Sequence, residues 1–183
     1  MRLLPGQPAP DFTALTHDGR AVTLSSLRGQ RVWLAFYRFA SCPFCNLRMH
    51  QLMDGAPRWQ AGGLRMLAVF HSSPAAVAEM VARRNVSFPI LCDPDEDLYR
   101  RYGVETSVVG VLSPANIGKL REAQREGVLA DLPKGADGRI SRVPADFFID
   151  ERGIIQTAYY GKNISDHIPL DDVEGFSGAV RAA

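Results

Sequence analysis

Long apolar runs alternate with segments of helical spacing along this chain. Arg31-Val32-Trp33-Leu34-Ala35-Phe36-Tyr37 and Leu64-Arg65-Met66-Leu67-Ala68-Val69-Phe70 read as strands buried on both faces. The first predicts a strand over 31–38, leading into a helix over 43–55 that Pro57 helps to end. After the second, Ser73-Pro74 caps a helix over 74–85. Phe88-Pro89-Ile90-Leu91 is short and extended, and a short helix from Pro94 to Tyr102 is closed by Gly103. Ala145–Asp150 and Ile154–Tyr160, joined by Glu151-Arg152-Gly153, read as a hairpin. A closing helix is expected over 170–182. Residues 5–20 read as loop, with Pro5, Pro8, Pro10 and the turn His17-Asp18-Gly19, and 21–24 as a short strand before a turn near Arg28-Gly29.

Strands alternating with helices, then a terminal hairpin, predict an α/β sandwich with a mixed sheet. The irregular stretch 105–142 interrupts this order. It holds one amphipathic helix, 115–127, with Ile117, Leu120 and Val128 against Lys119, Arg121, Glu122, Arg125 and Glu126. Long segments in compact domains serve as lids or interfaces, so 105–142 is expected to border the active site or a subunit contact, and a homodimer stays open.

Composition adds bounds. A chain of 183 residues reads as one domain, 1–183, with a sizeable core. Net charge is +1, and the basic residues do not cluster with aromatics, which disfavours nucleic acid. No apolar stretch approaches the ~20 residues of a membrane span, and Pro5 interrupts any leader-like run at the start. The expectation is a cytoplasmic protein. Three cysteines make no disulfide framework. Phosphate loops, dinucleotide glycine motifs and nucleophile elbows are missing, and no organic cofactor is called for.

The candidate chemistry lies in Cys42-Pro43-Phe44-Cys45, between the first buried strand and its helix. Pro43 suits the first helical position, where its missing N–H costs nothing. Cys42 then becomes the cap and Cys45 falls in the first turn. Free N–H groups and the positive end of the helix dipole stabilise a thiolate there, the reactive form of cysteine. One of the two thiols is therefore expected to titrate below the ~8.5 of a free cysteine. Helix-end physics favours Cys42, whereas Arg48, one turn beyond Cys45, would lower Cys45. Cys92 reads as a small core residue. His17, His50, His71 and His167 are dispersed without ligand spacing. A metal site would require Cys42, Cys45 and His167 to converge, as in a metal-binding chaperone.

Several segments, in order, resemble the peroxiredoxin-like, alkyl hydroperoxide reductase/thiol-specific antioxidant family. They are Gly6-Gln7-Pro8-Ala9-Pro10-Asp11-Phe12, Leu24-Ser25-Ser26-Leu27-Arg28-Gly29, Phe88-Pro89-Ile90-Leu91-Cys92-Asp93-Pro94-Asp95, Tyr102-Gly103-Val104, and Phe147-Phe148-Ile149-Asp150 with Gly153-Ile154-Ile155. The resemblance implies a thioredoxin-like fold, a central mixed sheet flanked by helices, with 105–142 as a helical insertion. It implies a thiol-dependent oxidoreductase that reduces hydroperoxides, reset by a thioredoxin- or glutathione-type reductant. The departure is central. The family's pattern of Pro, three residues, Thr, two residues, Cys places Cys45 at the attacking position, Cys42 where Thr is expected and Arg38 where Pro is expected. This resembles the branch carrying a thioredoxin-type Cys-Pro-X-Cys, in which a protein disulfide reductase is the alternative activity. Arg142 matches the family's active-site arginine in approximate position. Val143-Pro144 resembles the cis-proline step of thioredoxins, so Pro144, with Phe44, is expected to face the substrate.

Overall fold

The computed structural model describes residues 1–84, 86–132 and 138–178. Residue 85 at the end of the second expected helix, 133–137 of the insertion, 179–182 of the closing helix and residue 183 of the expected domain lie outside the described residues.

The architecture is thioredoxin-like, as expected. A five-stranded sheet has the order β5(Ile90–Cys92), β4(Leu64–Phe70), β3(Arg31–Phe36), β6(Ala145–Ile149), β7(Ile155–Tyr160). The β3, β4 and β5 strands run parallel, and β6 and β7 are antiparallel to their neighbours. Period-two alternation along β3 sorts its side chains between two cores. Trp33 and Ala35 face α1(Pro43–Ala61), α2(Pro74–Arg84) and α6(Leu170–Ser177), where Met49, Leu52, Trp59, Met80 and Val173 pack. Val32, Leu34 and Phe36 face the other way, against Phe12 and against Tyr99 on α3(Asp97–Arg101).

Local departures have physical reasons. A small antiparallel pair, β1(Thr13–Leu15) with β2(Ala21–Thr23), forms where only β2 was expected. The first helix runs through Pro57 to Ala61 rather than ending near it. The missing proline N–H removes one helical hydrogen bond, and burial of Ala56 and Trp59 on either side outweighs that loss.

The insertion carries α4(Val108–Val111) and α5(Ala115–Arg125). Gly127, at φ 69°, ends the second, so Val128 sits in a separate 3-10 turn. Ala123 and Val128 bury against Leu47 of α1, while Ile117 and Leu120 point to solvent. The expected apolar face of Ile117, Leu120 and Val128 is therefore split.

Candidate active site

The end of β3 delivers the chain into residues 38–42, and the Cys42 side chain caps α1. Cys42 has an extended backbone (φ −69°, ψ 122°), and Pro43 opens the helix, as the spacing predicted. The Cys45 N–H donates to Cys42 Sγ at 3.4 Å. The Asn46 amide ties the turn, donating to the carbonyls of Ala40 and Cys42 at 2.6 and 2.9 Å.

Arg38 completes the pair. One guanidinium nitrogen donates to Cys42 Sγ at 3.2 Å, and the Arg38 backbone N–H donates to Cys45 Sγ at 3.3 Å. The other terminal nitrogen donates to the Ile140 carbonyl. Cys42 and Cys45 are 0% and 1% exposed. Burial opposes a thiolate at Cys42. The Cys45 thiol, the Arg38 charge and the N–H groups of Cys45 and Phe44 outweigh it and bring Cys42 down to about 7. Burial and the neighbouring sulfur push Cys45 well up instead. The Arg38 guanidinium and the Cys45 N–H thus favour negative charge on the Cys42 sulfur, and burial disfavours it on Cys45.

Arg142 is also buried, but its guanidinium is engaged elsewhere. It donates to the Val104 carbonyl at 2.6 Å, pairs with Glu96 at 2.7 Å and lies 4.8 Å over the Tyr99 ring. Glu96 holds Arg139 too, at 2.6 Å, and faces His71 at 3.3 Å. The Arg139 N–H donates to His71 Nδ1 at 3.1 Å, so the imidazole proton sits on Nε2, towards Glu96. Burial holds His71 below the ordinary imidazole range, which keeps that neutral form. Glu96 reaches this position from a left-handed backbone, φ 60°, unique to it among the described non-glycine residues. These contacts strap residues 138–142 down beside Arg38, which donates to the Ile140 carbonyl.

The Val143-Pro144 expectation is corrected. There is no cis peptide among the described residues, so this bond is trans. The Val143 N–H donates to the Glu105 carbonyl at 3.2 Å and the Pro144 carbonyl accepts from Gly161 at 2.9 Å, holding the segment extended. Pro144 lines a cavity of about 160 Å³ with Arg2, Glu105, Tyr160 and Lys162, and neither thiol is in that lining. Phe44 is half-buried and lines a cavity of about 180 Å³ with Arg48, Gln51, Lys119 and His167.

His167 does not converge on the thiols. It packs on Tyr37 with ring centroids 4.7 Å apart and pairs with the fully buried Asp146 at 3.2 Å. Among the described residues, no group of three His, Cys, Asp or Glu side chains is placed to hold a metal ion. Cys92 is half-buried at the end of β5, packed against the helix-side core.

Arg38, Glu96 and Asp146 were not singled out by sequence reasoning as functional. The available signal was faint: Arg38 is a lone charge inside the otherwise apolar run from Val32 to Ala40.

Comparison with known proteins gives a consistent answer. The AhpC/TSA family profile matches residues 5–158. A Mycobacterium tuberculosis protein provisionally named a peroxiredoxin is 29% identical over 167 residues, covering 91% of each chain. Peroxiredoxin Bcp of Escherichia coli is 29% identical over 144 residues, 78% of this chain and 85% of that one. Among solved structures, Peroxidoxin BcpB from Mycobacterium tuberculosis superposes with a TM-score of 0.69 at 18% identity, over 97% of this chain and 98% of its own.

Proposed function

The chain belongs to the AhpC/TSA family, and from that membership we propose a peroxidase cycle run by the Cys42/Cys45 dithiol. The carrying observation is the capping sulfur of Cys42, with a guanidinium on one side and the Cys45 N–H on the other. The Cys42 thiolate attacks one oxygen of a hydroperoxide. The S–O bond forms as the O–O bond breaks, the sulfur is oxidised to sulfenic acid, and the departing oxygen takes a proton and leaves as alcohol or water. The Cys45 thiol then condenses with the sulfenic acid, releasing water and forming a Cys42–Cys45 disulfide. A thioredoxin- or glutathione-type reductant restores both thiols by exchange. Both sulfurs are buried, so access requires local opening at Ser41–Phe44 or at the strap 138–142. A homodimer would use the exposed apolar positions Val108, Val109 and Leu112 of the insertion, and sedimentation decides it.

The test is anaerobic. Reduced protein receives one equivalent of hydroperoxide, and products are followed by intact-mass analysis. Consumption of peroxide with loss of two hydrogens supports the cycle. Inertness to peroxide, with rapid exchange against a small disulfide, would replace it with the disulfide reductase reading.

A further inference from the structure

The guanidinium on the capping sulfur comes from a position where the family's pattern has proline. Arg38 is 2% exposed. It pairs with no carboxylate among the described residues, and Cys42 Sγ is the one group within hydrogen-bonding distance of its guanidinium that can carry negative charge. A buried cation without an anion is costly, so guanidinium and thiolate each stabilise the other. The Ile140 carbonyl fixes the far end of the fork, the Phe39 ring lies 5.0 Å beneath it, and the Arg38 carbonyl accepts from His71 N–H at 2.9 Å. Of the other N–H donors, Nε–H is buried and meets no acceptor among the described residues. The other charged or titratable groups around the pair are His71, Glu96, Arg139 and Arg142 on the strap side, with Arg48 on α1 and Asp146 on β6. None of them contacts a sulfur, and the charge of Arg142 is already matched by Glu96.

We propose that Arg38 is a catalytic residue of this dithiol: its guanidinium holds Cys42 as thiolate and receives the oxygen that departs when Cys42 attacks. The second role rests on the peroxidase reading. As the S–O bond forms and the O–O bond breaks, negative charge moves from sulfur to the leaving oxygen. Cys42 ceases to be an anion at that moment. The guanidinium exchanges one counter-ion for another without moving, with Nε–H among its unused donors. Solvent then supplies the proton that converts the alkoxide to alcohol.

The experiment compares wild type, R38M and R38K, with the exposed Arg125→Met as a charge-loss control. Iodoacetamide alkylation of Cys42 is followed against pH, and second-order reduction of tert-butyl hydroperoxide is measured alongside. R38M should move the alkylation midpoint up to or beyond the ~8.5 of a free thiol. R38K, which keeps the charge but loses the fork, should fall between. Above every midpoint, R38M should alkylate at the wild-type rate yet reduce hydroperoxide roughly a hundredfold more slowly. An unmoved midpoint in R38M, or in R38K if R38M does not fold, overturns the thiolate role. Full recovery of the hydroperoxide rate once the thiolate is formed overturns the leaving-oxygen role. A wild type inert to hydroperoxide overturns the peroxidase reading itself, and the alkylation midpoints then still decide whether Arg38 holds the thiolate.

Discussion

Replacing Asp146 by Asn tests the electrostatic support behind the site. Asp146 is fully buried on β6, opposite Ala35 on β3. One carboxylate oxygen accepts from the Trp33 indole at 3.1 Å, and the other accepts from the Ile168 N–H at 3.1 Å and pairs with His167 at 3.2 Å. Asparagine keeps the shape but has a single acceptor oxygen. One set of donors must then face an NH2 group, costing about 1–3 kcal/mol for a buried unsatisfied pair. The lost carboxylate also removes the charge that the His167 ring and the Ile168 N–H meet on its second oxygen, and hydrogen bonds to a charged group are worth about 1.5–3 kcal/mol. The two effects overlap, so D146N should lose about 1.5–3 kcal/mol, a sizeable part of an ordinary domain's stability. Urea unfolding at neutral pH should show a lower midpoint with an unchanged slope. W33F removes one of the bonds and should lose about 1 kcal/mol. The pH dependence has a definite sign. Burial raises the Asp146 pKa, but His167, Arg48 and the Ile168 N–H hold it below the usual carboxylate range. Its contribution is therefore complete above the unfolded value of ~3.9 and disappears as pH falls through the lower folded value. The gap between wild type and D146N should persist down to about pH 4 and shrink below it. A loss under about 1 kcal/mol, or a gap that stays undiminished well below pH 4, would refute this reasoning.

Other consequences can be checked on the same protein. Cys42 should alkylate with a midpoint near 7, set by the lowered thiol, and Cys45→Ala should raise it by removing the S–H donor; faster labelling of Cys45 in the wild type would contradict the assignment. Glu96→Gln leaves Arg142 buried without its anion and should lower stability by about 3 kcal/mol in thermal or urea unfolding. Gly138→Ala would place a Cβ 2.5 Å from the His71 carbonyl and 2.6 Å from Phe39 Cβ. It should lift the strap, speed Cys42 alkylation several-fold and cost about 1–3 kcal/mol; unchanged labelling would mean that substrate enters elsewhere.

What could be read from the chain follows the range of each interaction. The runs 31–36 and 64–70 became β3 and β4 because a buried strand writes its apolar character locally, and the hairpin 145–160 announced itself through its turn. The dithiol was legible for the same reason: strand, Cys-Pro-X-Cys and helix are contiguous. Thr13–Leu15 was missed because a three-residue strand, largely exposed, leaves no period to detect. The supporting shell was not legible. The partner of Trp33 lies 113 positions away, Arg38 is fixed by Ile140 at a separation of 102, and Glu96 gathers His71, Arg139 and Arg142 from two distant segments. No local pattern encodes such meetings. The split of Ile117 and Leu120 from Val128 likewise depends on one glycine leaving the helical region, which a helical wheel ignores.

The place of β3 in the middle of the sheet has a bearing on time. Like β6, it is bonded along most of its length on both sides, here to β4 and to β6, and it runs straight into Arg38 and the cap. Its amides should exchange with solvent deuterium only when the whole domain opens. The strap 138–142 hangs on side-chain contacts and scattered loop bonds, so its amides belong to a faster, local opening. The sulfurs are thus anchored to the slowest-breathing part of the molecule, while the segment that fixes the far end of their arginine belongs to a quick one. The setting of that arginine can then be retuned by substitutions in the strap without altering the lifetime of the fold beneath.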